Sequence, residues 1–430
     1  MKKRILFLVL SLPLLLFGQD SISNHINWSK GLLWKQMLDK AKAENKYIFV
    51  DCYATWCGPC KLMDREVFTK KIVADFMNSS FLSVKVQMDS TDVDGENVKQ
   101  WYGDAQLIRR LFKVELFPTY LFFSPSGNIV HRFFGARRDT DFIKLAANAL
   151  DPQKQFYTLL GNYKLGKKDY TVMPYLVKKL EEIGEKEIAN AIAQDYINNY
   201  LLALSEDEFY TVKNIEFMGS RIYSSNEKSF SVFYNHVDKI DSFISWKKGY
   251  AKGIINSIIM NEEVISHFTP AIKKKTTPNW NKIGTNITKK YNRYYAKRNI
   301  LSAKVMWYQN NQDWGSFAKY ALLEAEKYGL DTSSLLSEIY FNNEVAWNGV
   351  FLHSNRKRDI RIAIKWMQNI VSRHPEYPEF LDTYASLLFK AGKNKTAIAI
   401  EEKAVMIDPN NKDIYEKLLK MRKGEPTWKE

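Results

Sequence analysis

The most constraining stretch is Tyr47–Lys61, Tyr-Ile-Phe-Val-Asp-Cys-Tyr-Ala-Thr-Trp-Cys-Gly-Pro-Cys-Lys. An apolar run, Tyr47 to Val50, reaches Asp51 and then a short turn carrying Trp56, Cys57, Gly58, Pro59 and Cys60. Leu62, Met63, Val67 and Phe68 follow at helical spacing. A strand therefore delivers a Cys-x-x-Cys pair onto the first turn of a helix. The free N–H groups and positive dipole end of that helix favour an anion, which depresses the pKa expected of Cys57. Cys60, one turn on, lies within disulfide reach and can resolve a mixed disulfide formed at Cys57. The chemistry implied is thiol–disulfide exchange.

Metal chemistry fits the pair poorly. A structural zinc takes four ligands, and the chain has three cysteines and no histidine beside the pair. No metal and no cofactor are expected. Cys52, inside the apolar run, reads as a buried, inert thiol.

At this point the sequence resembles the thioredoxin family. Trp56-Cys57-Gly58-Pro59-Cys60-Lys61 is identical to its active-site signature. The resemblance makes Cys57 the attacking and Cys60 the resolving cysteine. It makes Asp51, six residues before Cys57, a buried carboxylate that moves protons for Cys60. Lys85 falls where the family has a lysine beside that carboxylate; read alone, a lysine in an alternating strand is as readily a solvated one. Phe117-Pro118-Thr119, before the strand Tyr120–Phe123, corresponds to a cis-proline turn facing the disulfide. Read alone, Pro118 marks only the start of a strand. Trp56, Gly58, Pro59, Phe117, Pro118 and Thr119 would then shape the substrate groove. Gly135-Ala136 matches the glycine after the last strand. With Glu66-Val67-Phe68, the order Asp51–Trp56 resembles one branch, the thioredoxin-like domains of periplasmic disulfide-interchange reductant pathways. The expectation is an α/β fold over 28–150, a central mixed sheet flanked by helices.

Further readings along the chain fill in that plan. An amphipathic helix is expected between Trp28 and Lys46, and a strand over Phe81–Met88. Ser90–Ala105 reads as a solvated polar insertion; its aspartates lack the ligand spacing of a calcium loop. A helix is expected over Gln106–Phe112, a hairpin strand over Ile129–Phe134, and a final helix over Asp139–Leu150.

Residues 1–19 begin with Lys2, Lys3 and Arg4 and continue into a Leu-rich run ending near Gly18-Gln19. That pattern is a secretory signal peptide, with an uncleaved anchor as the competing reading. Export, periplasmic residence and a soluble mature chain follow as expectations. In an oxidising compartment the pair needs a dithiol electron donor to act as a reductant. Its Gly-Pro spacer resembles the reducing thioredoxins, near −270 mV in the usual range, rather than strong oxidants near about −120 mV. Reductase or isomerase activity on protein disulfides is therefore expected.

Beyond Asp151-Pro152 helical periodicity takes over and cysteine disappears. Residues 151–358 read as a helical domain. Over 359–423, Tyr384, Ala385, Leu388, Gly392, Ala397, Ala404 and Pro409 resemble a tetratricopeptide repeat. Ala363 pairs with Ala397 and Pro375 with Pro409 at that family's period of about 34 residues. Glu401 stands where an aromatic residue is usual. The alternative over 151–330 is an irregular bundle. This region is expected to hold a protein partner; a chain whose helical array is the functional part, with the thioredoxin fold as a docking or redox-sensing module, is the alternative function.

The formal net charge is +15, of which Lys2, Lys3 and Arg4 belong to the first segment. Ile272–Lys275 carries a run of lysines, and Lys289–Arg298 interleaves basic and aromatic residues. In an exported chain this reads as a helix with a buried aromatic stripe and a solvated basic face, with an acidic partner or surface as the alternative, and not as a nucleic-acid site. The six histidines are scattered and form no ligand spacing.

Overall fold

The computed structural model describes residues 25–247, 249–274, 276–330 and 334–428. The expected export signal, 1–19, lies outside the described residues. The chain forms two compact units, one up to Tyr196 and one from Ile197 onward.

In the first unit the elements run α1 Trp34–Glu44, β1 Tyr47–Tyr53, α2 Gly58–Glu66, α3 Lys71–Ser80, β2 Phe81–Gln87, α4 Glu96–Lys99, α5 Tyr102–Leu111, β3 Thr119–Phe123, β4 Ile129–Phe134 and α6 Asp139–Ala147. The sheet has the order β2-β1-β3-β4, with β1 and β2 parallel and the other pairs antiparallel. This is the expected mixed sheet with flanking helices. Because side chains alternate along a strand, β1 splits its residues between two cores. Ile48, Val50 and Cys52 pack with Met37 of α1 and Ile108 of α5. Phe49 packs on the other face with Met63 of α2, Met77 of α3 and Phe142 of α6. Asp51 and Tyr53, in step with Phe49, therefore face the side that α2 covers.

Two helix starts and the polar insertion differ from the sequence reading. Trp28 is not helical: it bridges to Ser83 in parallel, and the Ser29 N–H donates to the Ser83 carbonyl at 2.7 Å. The extended chain there continues the edge of β2, and α1 starts six residues later. The helix expected at Gln106 begins at Tyr102. The polar insertion is built rather than simply solvated. Asp94 accepts from the Thr91 hydroxyl at 2.6 Å, the Tyr102 hydroxyl at 2.6 Å and Gln87 Nε2 at 2.8 Å. Those bonds, the Thr91 hydroxyl's first, hold its carboxyl well below the usual range.

After a single 3₁₀ turn, Asn148–Leu150, come α7 Phe156–Lys164, α8 Met173–Glu182 and α9 Lys186–Asn199. The Phe156 N–H donates to Nδ1 of His131 on β4 at 3.2 Å. Burial holds that imidazole down at about 4, so it stays neutral and able to accept.

Among the described residues, the second unit's regular elements are all helices. The expected basic-aromatic helix is two helices, Trp280–Lys290 and Arg293–Asn310, because the Asn292 side chain accepts from the Tyr295 N–H and starts the second afresh. Tyr295 is buried and Lys297 exposed, but Tyr294 is exposed as well, so the aromatic stripe is only partly buried. Phe341–Leu352 is π-helical. Then come helices Lys357–Arg373, Pro378–Lys390, Asn394–Ile407 and Lys412–Lys423, with Ala363, Ala385, Ala397 and Ala404 wholly buried where helices meet.

Glu401 is also wholly buried, and it faces Asp382, which accepts from Lys417 Nζ at 2.7 Å. Burial and the neighbouring Asp382 push the Glu401 carboxyl well above its ordinary value. A raised folded value means the stabilisation is complete below the unfolded pKa and drains away as pH rises. Glu401→Gln is therefore expected to flatten the fall in melting temperature between about pH 5 and 9. It should also raise the alkaline melting point by a few degrees, read by calorimetry.

Candidate functional site

Cys57 occupies the N-cap of α2, with Gly58 and Pro59 as the first helical residues. Proline is tolerated there because that N–H has no intrahelical acceptor. Cys57 and Cys60 are joined by a disulfide with Cα atoms 5.3 Å apart, and the Cys60 N–H donates to Cys57 Sγ at 3.1 Å. A sulfur held this way sits where backbone donors and the helix dipole stabilise a thiolate once the bond is reduced.

The surroundings of the disulfide come from three other segments. Ala54 and the two cysteines form a small cluster against which Tyr53 and Phe117 pack. The Phe117–Pro118 peptide bond is cis, and β3 begins at Thr119, whose hydroxyl donates to the Leu116 carbonyl at 2.6 Å. Trp56 meets Phe117 edge-on at 5.7 Å and is 70% exposed. Leu116 is also exposed. An apolar lip thus flanks a disulfide that is otherwise nearly covered. The Gly135 N–H donates to the Pro118 carbonyl at 2.8 Å, and its φ of +83° is one that side chains disfavour.

Beneath α2, Asp51 is 1% exposed. Strand register sets it opposite Lys85 on β2 and Tyr120 on β3, so the three side chains share one face. Lys85 Nζ lies 3.5 Å from Asp51 and is also ion-paired to Asp64 of α2. The rings of Tyr53 at 5.0 Å and Trp28 at 5.3 Å flank the ammonium. Asp51 Oδ1 and the Tyr120 hydroxyl are buried with no hydrogen-bond partner among the described residues. Burial outweighs the attraction of Lys85 and raises Asp51 to about 7. Burial likewise pushes up the Tyr120 hydroxyl. A carboxyl poised near neutrality can take or give a proton at working pH. Cys52, on the opposite face, is a free thiol whose pKa burial drives upward.

The structure thus gathers Cys57, Cys60, Trp56, Gly58, Pro59, Phe117, Pro118 and Thr119 around one disulfide. Asp51 and Lys85 lie on the sheet face that α2 covers. Two residues were missed by sequence reading. Asp64 shares Lys85 with Asp51; it is four residues past Cys60, a helical spacing that could have pointed to it. Asp89 accepts from the Thr55 N–H at 3.0 Å and ties the cysteine turn to the end of β2, with no signal in local spacing. In Asp64→Asn, Lys85 has one carboxylate left and the repulsion from Asp64 is gone. The Asp51 titration is then expected to move downward, by up to about one pH unit, followed by carboxyl carbon NMR.

A family model described as a thioredoxin-like domain matches residues 34–150. Thioredoxin H-type of Fagopyrum esculentum is 30% identical over 116 residues, which are 27% of this chain and 84% of that protein. Thioredoxin H4 of Arabidopsis thaliana is 31% identical, over 25% of this chain and 75% of its own length. A thiol:disulfide interchange protein DsbD, from Pseudoalteromonas atlantica, is 29% identical over 31% of this chain but only 22% of its own length. A covered dithiol at a helix start, under a mixed sheet with a buried carboxyl, defines a thiol–disulfide oxidoreductase. The chain belongs to the thioredoxin family.

Proposed function

We propose that the protein is an exported reductase or isomerase of protein disulfides, with Cys57 as nucleophile. The Cys57 thiolate attacks one sulfur of a substrate disulfide; that bond breaks, a substrate thiolate leaves, and a mixed disulfide forms. Cys60 gives its proton to the Asp51 carboxylate and attacks Cys57 Sγ. The second substrate thiolate departs and is protonated, and the protein holds the Cys57–Cys60 disulfide. The substrate has gained two electrons, which a dithiol donor restores by the reverse exchange. Lys85 steadies the charge of Asp51, while Trp56, Phe117, Pro118 and Thr119 receive the substrate chain.

The observation that carries this reading is the cysteine pair seated on the first turn of α2 against Phe117. Export rests on the charge and hydropathy of 1–19; among the described residues, no helix is long and apolar enough to cross a membrane. The helical residues from 151 onward are read as the part that holds a protein partner. Within them, 359–423 is read as tetratricopeptide-like on the spacing of Ala363 from Ala397.

Equilibrating the full chain without 1–19 against dithiothreitol and glutathione tests the direction of flow. A potential near about −270 mV supports a reductase, and one near about −120 mV overturns it.

A further inference from the structure

Between the helices Trp280–Lys290, Arg293–Asn310 and Trp314–Tyr328 lies a groove of about 710 Å³. The first two helices close to near contact at Gly284, where an added Cβ would stand 3.4 Å from Ile300. Ile300, Leu301 and Leu323 supply an apolar floor. Five cations line the rest: Lys289, Arg293, Lys297, Lys304 and Lys327. Among the described residues no carboxylate lines it.

The distribution of ion pairs is selective. Lys290, one residue from Lys289, is held by Glu263 at 2.7 Å. Arg298, one residue from Lys297, is 3.5 Å from Glu324. None of the five groove cations has a carboxylate partner among the described residues. Arg293, Lys297, Ile300 and Lys304 follow one another at helical spacing, which puts an apolar residue between cations on a single stripe. From Arg293 to Lys304 the stripe runs about 16 Å. Gathering like charges around an apolar floor without counter-charges is unfavourable in the free protein, and an acidic ligand with apolar side chains relieves it.

We propose that this groove binds an acidic, apolar-containing peptide segment of a protein partner, about three helical turns or five extended residues long. A nucleic acid would need free aromatic faces on which to stack. The groove does not offer them. Tyr320 is stacked on Tyr308 at 5.4 Å, with the Lys304 ammonium 4.9 Å from its centroid. Trp280 is packed edge-on against Phe268 and Trp307. A membrane surface calls for a protruding apolar face, and this site is concave.

The inference rests on the reading that the helical residues hold a protein partner, and binding alone tests it. The probe is a synthetic peptide of about twelve alternating Glu and Leu residues, titrated into the full chain by fluorescence anisotropy. Micromolar binding that weakens steeply from about 50 to about 300 mM salt is expected. The double variant Arg293→Glu/Lys297→Glu should weaken it at least about tenfold. Lys412→Glu/Lys420→Glu, an equal charge change on the exposed side of another helix, should weaken it less than about threefold. Equal weakening by both variants would assign the binding to net charge and overturn the groove. So would undiminished binding of a Gln-for-Glu peptide, or a single-stranded oligonucleotide or phosphatidylglycerol vesicle binding where the peptide does not. Turnover of a small generic disulfide is measured on the same proteins. No peptide binding by the unaltered chain with that turnover intact fails the groove alone, whereas absent turnover in the unaltered chain fails the oxidoreductase reading separately.

Discussion

Cys57→Ser is expected to reduce disulfide turnover by about 10³-fold or more, the scale on which loss of a covalent nucleophile is felt in other enzymes. Serine fits the same N-cap and can accept the same bond from the Cys60 N–H, so the fold should persist and the melting temperature should stay close to that of the reduced wild type, which likewise lacks the Cys57–Cys60 cross-link. What disappears is the thiolate, since an alcohol does not ionise in the range where backbone donors at α2 favour a thiol's anion. Cys60→Ser should behave differently. The first exchange still proceeds at Cys57, nothing resolves it, and a mixed disulfide with the substrate accumulates. Non-reducing gels and intact mass of both variants, mixed with a scrambled disulfide protein, check the pair of outcomes. Trapping through Cys57→Ser, with Cys60→Ser remaining free, would reverse the roles of the two sulfurs.

The legible part of this chain was local. Around Tyr47–Lys61 a strand, a turn and a helix were legible because an apolar run of strand length gives way, past the Gly-Pro turn, to Leu62, Met63, Val67 and Phe68 at helical spacing. The structure has β1 through Tyr53 and α2 from Gly58. The Phe117-Pro118 turn was legible through resemblance; spacing alone left it as a strand start. Lys85 could not be placed by pattern. Its position follows from the parallel pairing of β1 with β2, which sets Asp51 opposite it across 34 residues of sequence, and pairing register is a tertiary fact.

The misjudged parts are those where polar side chains organise backbone. Thr91, Asp94 and Tyr102 make a hydrogen-bonded knot where composition suggested a solvated loop, since Asp and Thr have the same composition whether they bond each other or water. The break at Tyr291–Asn292 was hidden for a similar reason. Continuous basic-aromatic periodicity concealed an Asn whose side chain caps the next helix. Glu401 was noticed as an exception to a repeat pattern, but its burial against Asp382 depends on which helices become neighbours.

Asp51→Asn should slow the protein and stabilise it at once. The carboxyl titrates at about 7 because burial, the largest influence, outweighs Lys85. If Asp51 accepts the Cys60 proton, wild-type resolution rises with pH through about 7 and levels off once the carboxylate is formed. Asn cannot accept that proton, so above neutrality turnover should fall by up to about 10²-fold, the lower end for general base catalysis, and its rise near 7 should vanish. Stability moves the other way. A folded value of about 7 against an ordinary 3.8 means that the favourable contribution is complete below 3.8 and is lost as pH climbs to 7. Keeping that charge buried costs roughly 4 kcal/mol above neutrality, a cost the amide avoids. The amide variant should therefore need more denaturant to unfold at pH 8 than wild type, with the difference shrinking toward pH 4. A purely structural Asp51 would move only the unfolding curve, and a catalytic one moves the pH–rate profile as well. Measuring both on one pair of proteins decides between the two: an unaltered profile in Asp51→Asn removes the carboxyl from the proton path, however much the melting point rises.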